Sequence, residues 1–166
     1  MIIQASTLTT TRAHVATYLT DKMLLSLGNI IRDSGLNMQD FVKGRGTYEA
    51  GVKTWLNSGH LEKVILEIFD ASTNSLVKRW DFDFFADGNG ELGFWFDPGD
   101  IRYHLNKAGK IPSQCSYRVV VTTKPGRPDV ADWSSCSLRD TTNLQQFCLG
   151  TTISASNMGA RTSYWK

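Results

Sequence analysis

The acidic residues of one predicted strand are the candidates for acid–base chemistry. Asp81 and Asp83 lie two residues apart and so share a strand face, where two carboxylates could act as a pair. They alternate with apolar residues, however, as the solvent-facing side of a half-buried strand does. No nucleophile, base and oxyanion-stabilising group occur as a set, so the chain is predicted not to be an enzyme.

Metal and cofactor sites are not predicted either. The run from Asp83 to Glu91 has the glycines and acidic residues of a calcium loop, but its register is wrong. If Gly90 takes the sixth position, Phe85 and Phe96 occupy the first and twelfth, which need carboxylates. The run is therefore predicted to be a turn. No two histidines have the spacing that would bind one metal ion: His14, His60 and His104.

Composition and charge are typical of one self-sufficient domain. The 166 residues are 41% hydrophobic and 20% charged, and the net charge of +2 is too small to indicate direct nucleic-acid binding. The odd number of cysteines, without metal-type spacing, predicts free thiols in a reducing compartment: Cys115, Cys136 and Cys148. The N-terminus lacks the pattern of a signal peptide and no segment is apolar enough to span a membrane, so we expect a cytoplasmic protein.

Three helices are predicted. Apolar residues recur at three- and four-residue steps over about 10–33, which indicates a long, central helix. A loop at 43–46 precedes a second helix, whose apolar face contains Trp55 and whose C-terminal cap is Gly59. Asp97 and Pro98 form the cap and first position of a short third helix, which ends at Gly109.

Three long strands are predicted. Residues 63–68 and 76–84 alternate in polarity on either side of a turn-forming run at 70–75, which indicates a hairpin. In its second strand Trp80 and Phe82 point to one side, and Arg79, Asp81 and Asp83 point to the solvated side. The third strand covers 116–123.

The chain changes character at residue 124. From there to the end it is rich in Ser, Thr, Asn and Gly, with few predicted regular elements and isolated bulky side chains. A long strand beside a weakly committed segment could accept an incoming peptide as an added strand. The alternative is that the tail pairs permanently with the third strand. The sequence favours neither of these two readings.

An ordered set of short motifs over about 54–153 resembles the HORMA domain. It begins with Trp55-Leu56 and Leu61-x-Lys63-Val64, and continues through Arg79-Trp80-x-Phe82-Asp83 and Cys115-Ser116-Tyr117. Trp133 and the run Phe147-x-x-x-Thr151-Thr152-x-Ile153 follow in the order seen in the family. The resemblance implies an α+β fold, with a three-stranded antiparallel sheet backed by three helices.

It also implies a single HORMA domain over 1–166, with a core to about 123 and a mobile C-terminal "safety belt" at about 124–166. In the open state of such domains the belt covers the edge of the third strand. In the closed state it crosses to the other edge of the sheet and traps a partner's closure-motif peptide beside the third strand. The implied peptide-binding residues are Tyr117, Arg118, Val119, Val120, Val121, Thr122 and Thr123. The implied belt residues are Trp133, Leu138, Leu144, Phe147 and Ile153, and the hinge residues are Lys124, Pro125, Gly126 and Pro128.

The short chain and its N-terminal run are most similar to the bacterial branch of the family. That branch implies a closed, peptide-bound form that binds and activates a cGAS/DncV-like nucleotidyltransferase in cyclic-oligonucleotide (CBASS) anti-phage signalling. An AAA+ remodelling ATPase would reopen it by pulling on Ile2, Ile3, Gln4 and Ala5. A second HORMA protein is a further candidate partner. The alternatives are a eukaryotic-type adaptor in checkpoint, meiotic or repair complexes and, from a different class, a small hydrolase.

Overall fold

The long N-terminal helix forms the centre of the helical layer. The computed structural model describes residues 2–87 and 92–166, with side chains from residue 12 onward except at 92. Helix α1 spans Ile2–Asp33, so it ends where predicted but begins about one-quarter of its length earlier. Ile31 is fully buried, whereas Leu25 is exposed. The helix is therefore buried around much of its circumference, as expected of a central helix.

Helix α2 spans Met38–Ser58. The side chain of Asn37 accepts a hydrogen bond from the N–H of Gln39 at its start, and Gly59, at φ 75°, ends it as predicted. The predicted loop at 43–46 is wrong, because these residues are helical. The buried residues of α2 extend from Phe41 to Leu56 across this stretch, so tertiary packing outweighs the low helix propensity of its glycines.

Helix α3 spans Pro98–Ala108, and its start is capped as predicted. The carboxylate of Asp97 accepts a hydrogen bond from the N–H of Asp100 at 3.1 Å. At the other end, the ammonium group of Lys78 donates to the carbonyl oxygens of Ala108 and Gly109. This lysine ties the end of α3 to the sheet.

The sheet has six strands in the described residues, in the order β3-β5-β6-β2-β1-β4, and all neighbours are antiparallel. The three strands implied by the resemblance are present, but they are only half of the sheet. A short strand before α3 and a C-terminal hairpin extend it. The strands are β1 Leu61–Asp70, β2 Leu76–Ala86, β3 Leu92–Phe96, β4 Cys115–Thr123, β5 Gln146–Ser156 and β6 Met158–Trp165.

The β1–β2 hairpin forms as predicted, with Leu66 opposite Trp80 and both side chains buried. Its other face differs from the prediction. Arg79 and Asp81 were expected to be solvated, but both are buried. Their side chains form two hydrogen bonds of 2.6 and 2.7 Å, and the guanidinium group lies 5.6 Å from the ring centroid of Trp165 in β6. Strand β6 therefore covers the Arg79–Asp81 ion pair, in which each side chain neutralises the charge of the other.

The prediction of few regular elements after residue 124 is wrong for residues 146–165, which form the β5–β6 hairpin. Strand β6 pairs with β2 along its length, and the ring of Tyr164 stacks on Trp80 at 4.8 Å. These strands are built largely from Gly, Ser, Thr and Ala. Such residues give little of the alternation of large apolar side chains by which strands are recognised.

Candidate peptide-binding edge

Strand β4 lies at one end of the sheet. It pairs with β1 from Leu61↔Thr123 to Asp70↔Cys115, and no other strand in the described part of the chain pairs with it. Edge strands present unpaired N–H and C=O groups that can bind an extended peptide. All the residues predicted to bind peptide lie in this strand: Tyr117, Arg118, Val119, Val120, Val121, Thr122 and Thr123.

Residues 132–138 pass near this edge without forming a strand and leave a groove. The groove contains two cavities of about 550 and 200 Å³, which share the lining residues Val119, Val120, Trp133, Ser134 and Cys136. Trp55 contributes to the larger cavity and Tyr48 to the smaller one. The groove therefore combines a main-chain edge with aromatic and aliphatic side chains, which is the composition that suits an extended peptide.

Trp133 fixes one wall of the groove to α2. Its indole N–H donates to the carbonyl oxygen of Thr47 at 3.1 Å, and its ring packs edge-on against Trp55 at 5.1 Å between centroids. A Cβ atom at Gly51 would lie only 2.5 Å from Trp133 Nε1. The ring therefore occupies space that any other residue at position 51 would fill.

The predicted hinge residues lie between β4 and this wall. The N–H of Lys124 donates to the carbonyl oxygen of His60 at 2.8 Å, and Gly126 adopts φ 81°. The indole N–H of Trp55 donates to the carbonyl oxygen of Pro128 at 2.7 Å. Pro125 lies between these points. The segment 124–128 is thus a turn held at both ends, and its role as a hinge remains a prediction.

A buried ion cluster holds the chain just beyond the groove. Glu67 of β1 is fully buried and accepts hydrogen bonds from the side chains of Arg118 and Arg139 and from the main-chain N–H of Arg139. Burial alone would raise the pKa of Glu67. The hydrogen bonds from Arg139 and Arg118 outweigh burial, and the pKa is lowered. The carboxylate is therefore held in its charged form.

The predicted belt residues lie in different places. Trp133 and Leu138 line the groove, and Leu138 is exposed. Phe147 and Ile153 lie in β5, where Phe147 stacks on Tyr164 at 5.2 Å and Ile153 is fully buried. Leu144 is half-buried just before that strand. The segment predicted to be the belt therefore runs from the β4 edge to the far side of β2, and among these five residues only Trp133 and Leu138 lie at the groove.

The remaining predicted sites are not brought together. Ile2, Ile3, Gln4 and Ala5 belong to the first turns of α1, and their side chains lie outside the described residues. Residues 88–91 of the apparent calcium loop also lie outside them. The described residues contain no group of three His, Cys, Asp or Glu side chains that could hold a metal ion. The three cysteines are unpaired.

Sequence reasoning missed the roles of three residues at this site: Gly51, Glu67 and Arg139. Glu67 was recognisable in part, because it interrupts the apolar run Val64-Ile65-Leu66-Glu67-Ile68-Phe69. A carboxylate flanked by such residues is buried only if it has partners. Its partner Arg139 is 72 residues away, and no local pattern connects the two.

These features define a class of protein: an α+β fold in which a C-terminal segment passes beside the outer edge of strand β4 and then pairs on the far side of β2. The sequence model of bacterial HORMA domain 2 matches residues 4–166, and the chain belongs to this family. No helix in the described residues is long and apolar enough to cross a membrane. A comparison with curated proteins gives no match.

Solved structures share the fold at low sequence identity. A chain of the mitotic checkpoint complex has a TM-score of 0.72 and 14% identity, covering 90% of this chain and 97% of its own length. C. elegans HTP-2 bound to the HIM-3 closure motif gives 0.72 and 8%, with 91% and 89% covered. The E. coli MS115-1 CdnC:HORMA-deltaN complex gives 0.62 and 17%, with 91% and 86% covered.

Proposed function

We propose that this chain is a peptide-binding adaptor that switches conformation, and that the structure corresponds to its closed state. A partner's closure-motif peptide would add to the sheet as a strand beside residues 117–123, beneath belt residues 132–138. The belt comprises residues 124–166, with 1–123 as the core of a single domain. When closed, the protein would bind and activate a cGAS/DncV-like nucleotidyltransferase in bacterial anti-phage signalling in the cytoplasm.

One observation carries the proposal: no strand of the described residues pairs with the outer edge of β4, although two further strands follow it in the chain. Instead, β5 and β6 lie on the far side of β2. The segment connecting them to β4 leaves a groove with cavities of about 550 and 200 Å³ along the free edge. A strand edge exposed inside a groove is suited to main-chain pairing, with side-chain cavities supplying selectivity.

A groove-filling substitution tests peptide binding. Cys136 is exposed and lines both cavities, so Cys136→Trp should fill the groove without removing a buried contact. Cys148→Trp is the matched control, because Cys148 is also exposed but lies in β5. We expect a peptide selected by display against the wild-type chain to lose at least about tenfold in affinity for Cys136→Trp only. Equal affinity for both variants would exclude this groove.

The partner enzyme requires a separate test. The rate of cyclic-oligonucleotide synthesis by a cGAS/DncV-like nucleotidyltransferase should rise when both this chain and the selected peptide are present, and not with either alone. A chain that binds peptide but leaves the rate unchanged would favour the eukaryotic-type adaptor role. Turnover of a small substrate without any partner would favour a hydrolase.

The proposed AAA+ ATPase would reopen the closed form by pulling on Ile2 to Ala5 at the start of α1. Deletion of residues 1–5 should leave peptide affinity unchanged, because the groove is lined by residues of α2, β4 and the segment that follows β4. The same deletion should abolish peptide release driven by the ATPase. A large loss of peptide affinity would instead assign the segment to the folded core.

A further inference from the structure

Glu67 has an unusual position for a carboxylate. It lies in β1, between the neighbouring strands β2 and β4, and its side chain is inaccessible to solvent. Its neighbours in register are Arg79 on β2 and Arg118 on β4. Arg79 is already paired with Asp81, so Arg118 is the arginine of the sheet that binds Glu67, through Nε at 2.6 Å.

Arg118 donates to only one of the two carboxylate oxygens of Glu67, and Arg139 of the belt supplies the further hydrogen bonds. The N–H of Arg139 donates to Oε2 at 2.7 Å, and its guanidinium group donates to Oε1 at 2.7 Å. That group also lies 3.5 Å from the ring centroid of Phe69 and donates to the side chain of Asn74. A buried carboxylate without such partners is strongly unfavourable. Glu67 is therefore satisfied only while residue 139 is docked.

The same cluster fixes the wall of the groove. Arg118 binds Glu67 through Nε and donates through Nη2 to the main-chain oxygen of Ser137. Ser137 and Leu138 line the larger cavity and directly precede Arg139. Glu67 thus holds both ends of a three-residue segment: one through Arg118 and the other through Arg139.

We propose that Glu67 is a positioning residue for the belt, and that with Arg118 and Arg139 it forms a polar latch that fastens residues 137–139 over the peptide groove. The latch deepens the proposed function, on which its role in trapping a peptide rests. Two of the three hydrogen bonds that Glu67 accepts come from the belt. They are lost whenever residues 137–139 leave the sheet, so the latch favours the closed state and does not merely stabilise both states alike.

Hydrogen–deuterium exchange of the peptide-free chain tests the latch. Arg139→Met keeps a long side chain at this position but removes the charge, and should speed exchange of residues 137–145 by about tenfold or more, as expected for lost charge-assisted hydrogen bonds. Residues 61–70 should keep their protection. Arg161→Met is the matched control, because Arg161 is another belt arginine over an aromatic ring, Phe85 at 4.1 Å. Equal exchange in the two variants would overturn the proposal.

Glu67→Gln provides a second test, because it removes the buried charge and keeps its shape. It should speed exchange of 137–145 as Arg139→Met does, and the double variant should add little. Additive effects, or faster exchange spread evenly over 61–70 as well, would show a merely structural ion pair. Peptide affinity does not enter this readout. Failure of the latch would leave the groove experiment valid, and a groove that binds no peptide would leave the latch result unchanged.

Discussion

The two ends of the sheet are built from different kinds of residue. The β2-β1-β4 end buries large apolar side chains, such as Leu66, Trp80 and Phe82. The β5–β6 hairpin at the other end contributes mainly small residues, including Ala155 and Ala160. The large apolar side chains that this hairpin buries fully are Ile153 and Tyr164, both among the described residues.

This difference is relevant to the proposed switch. Each fully buried large apolar side chain contributes about 1.5–3 kcal/mol, so the β2-β1-β4 end is fixed by burial. The hairpin relies more on its main-chain ladder with β2 and on polar contacts, such as the 2.7 Å hydrogen bond between Thr152 and Thr162. Hydrogen bonds can be exchanged for others at little net cost, whereas buried apolar area cannot. The hairpin therefore suits a belt that has two positions.

The largest expected effect is at the fixed end. Trp80→Ala should lower the free energy of unfolding by about 3–5 kcal/mol, because it leaves a cavity in the core beside Tyr164. Chemical denaturation would measure the change. Trp95→Ala is the matched control: Trp95 is 45% exposed, and its replacement should change stability by about 0.5 kcal/mol or less. Unchanged stability with lost peptide binding in Trp80→Ala would contradict a structural role.

A smaller effect is expected where the belt meets α2. The Cβ atom of Gly51→Ala would lie 2.5 Å from Trp133 Nε1, so the indole must move. Overpacking of this kind costs about 1–3 kcal/mol, and the fluorescence of Trp133 should shift toward that of an exposed indole. Gly46→Ala, in the same helix but with no atom within 4 Å of the new Cβ, should instead stabilise by about 0.5–1 kcal/mol. The same change in stability and fluorescence in both variants would show that the Trp133 ring does not depend on the space at Gly51.

Features that depend on neighbouring residues could be predicted from the sequence, and those that depend on distant pairing could not. The β1–β2 hairpin, the C-terminal ends of α1 and α2 and both ends of α3 follow from local signals, which are alternating apolar residues, Asp97 and Pro98 at a helix start, and glycines at helix ends. The groove follows from no local signal. Its edge residues, Tyr117 to Thr123, were predicted as a strand, but the free edge depends on where residues 146–165 pair.

The contacts that hold the belt are the least predictable, because each joins distant parts of the chain. The Thr47–Trp133 and Glu67–Arg139 hydrogen bonds span 86 and 72 residues. The belt strands themselves were missed because Gly150, Thr152 and Ser154 resemble loop residues in composition. Such strands form where a neighbouring strand such as β2 offers its edge, and not from their own propensity.

Acid should weaken the attachment of the belt through Glu67. Its pKa is held below the ordinary value of 4.5, since hydrogen bonds from Arg139 and Arg118 outweigh desolvation. A lowered folded-state pKa means that the stabilisation is present above the unfolded-state pKa and is lost as pH falls through the folded-state pKa. The arginines that face it, Arg79, Arg118 and Arg139, stay charged throughout. The stability difference between wild type and Glu67→Gln should therefore shrink on acidification, and a constant difference would contradict this assignment.

The most direct test of the account is amide exchange with and without a tightly bound display-selected peptide. If the peptide pairs with β4 beneath the belt, protection should rise both in residues 117–123 and across about 129–155, because one segment gains main-chain partners and the other closes over it. The fixed strands β1 and β2 should change little. Protection confined to another surface, or a belt equally protected in both conditions, would contradict a belt that traps peptide at this edge.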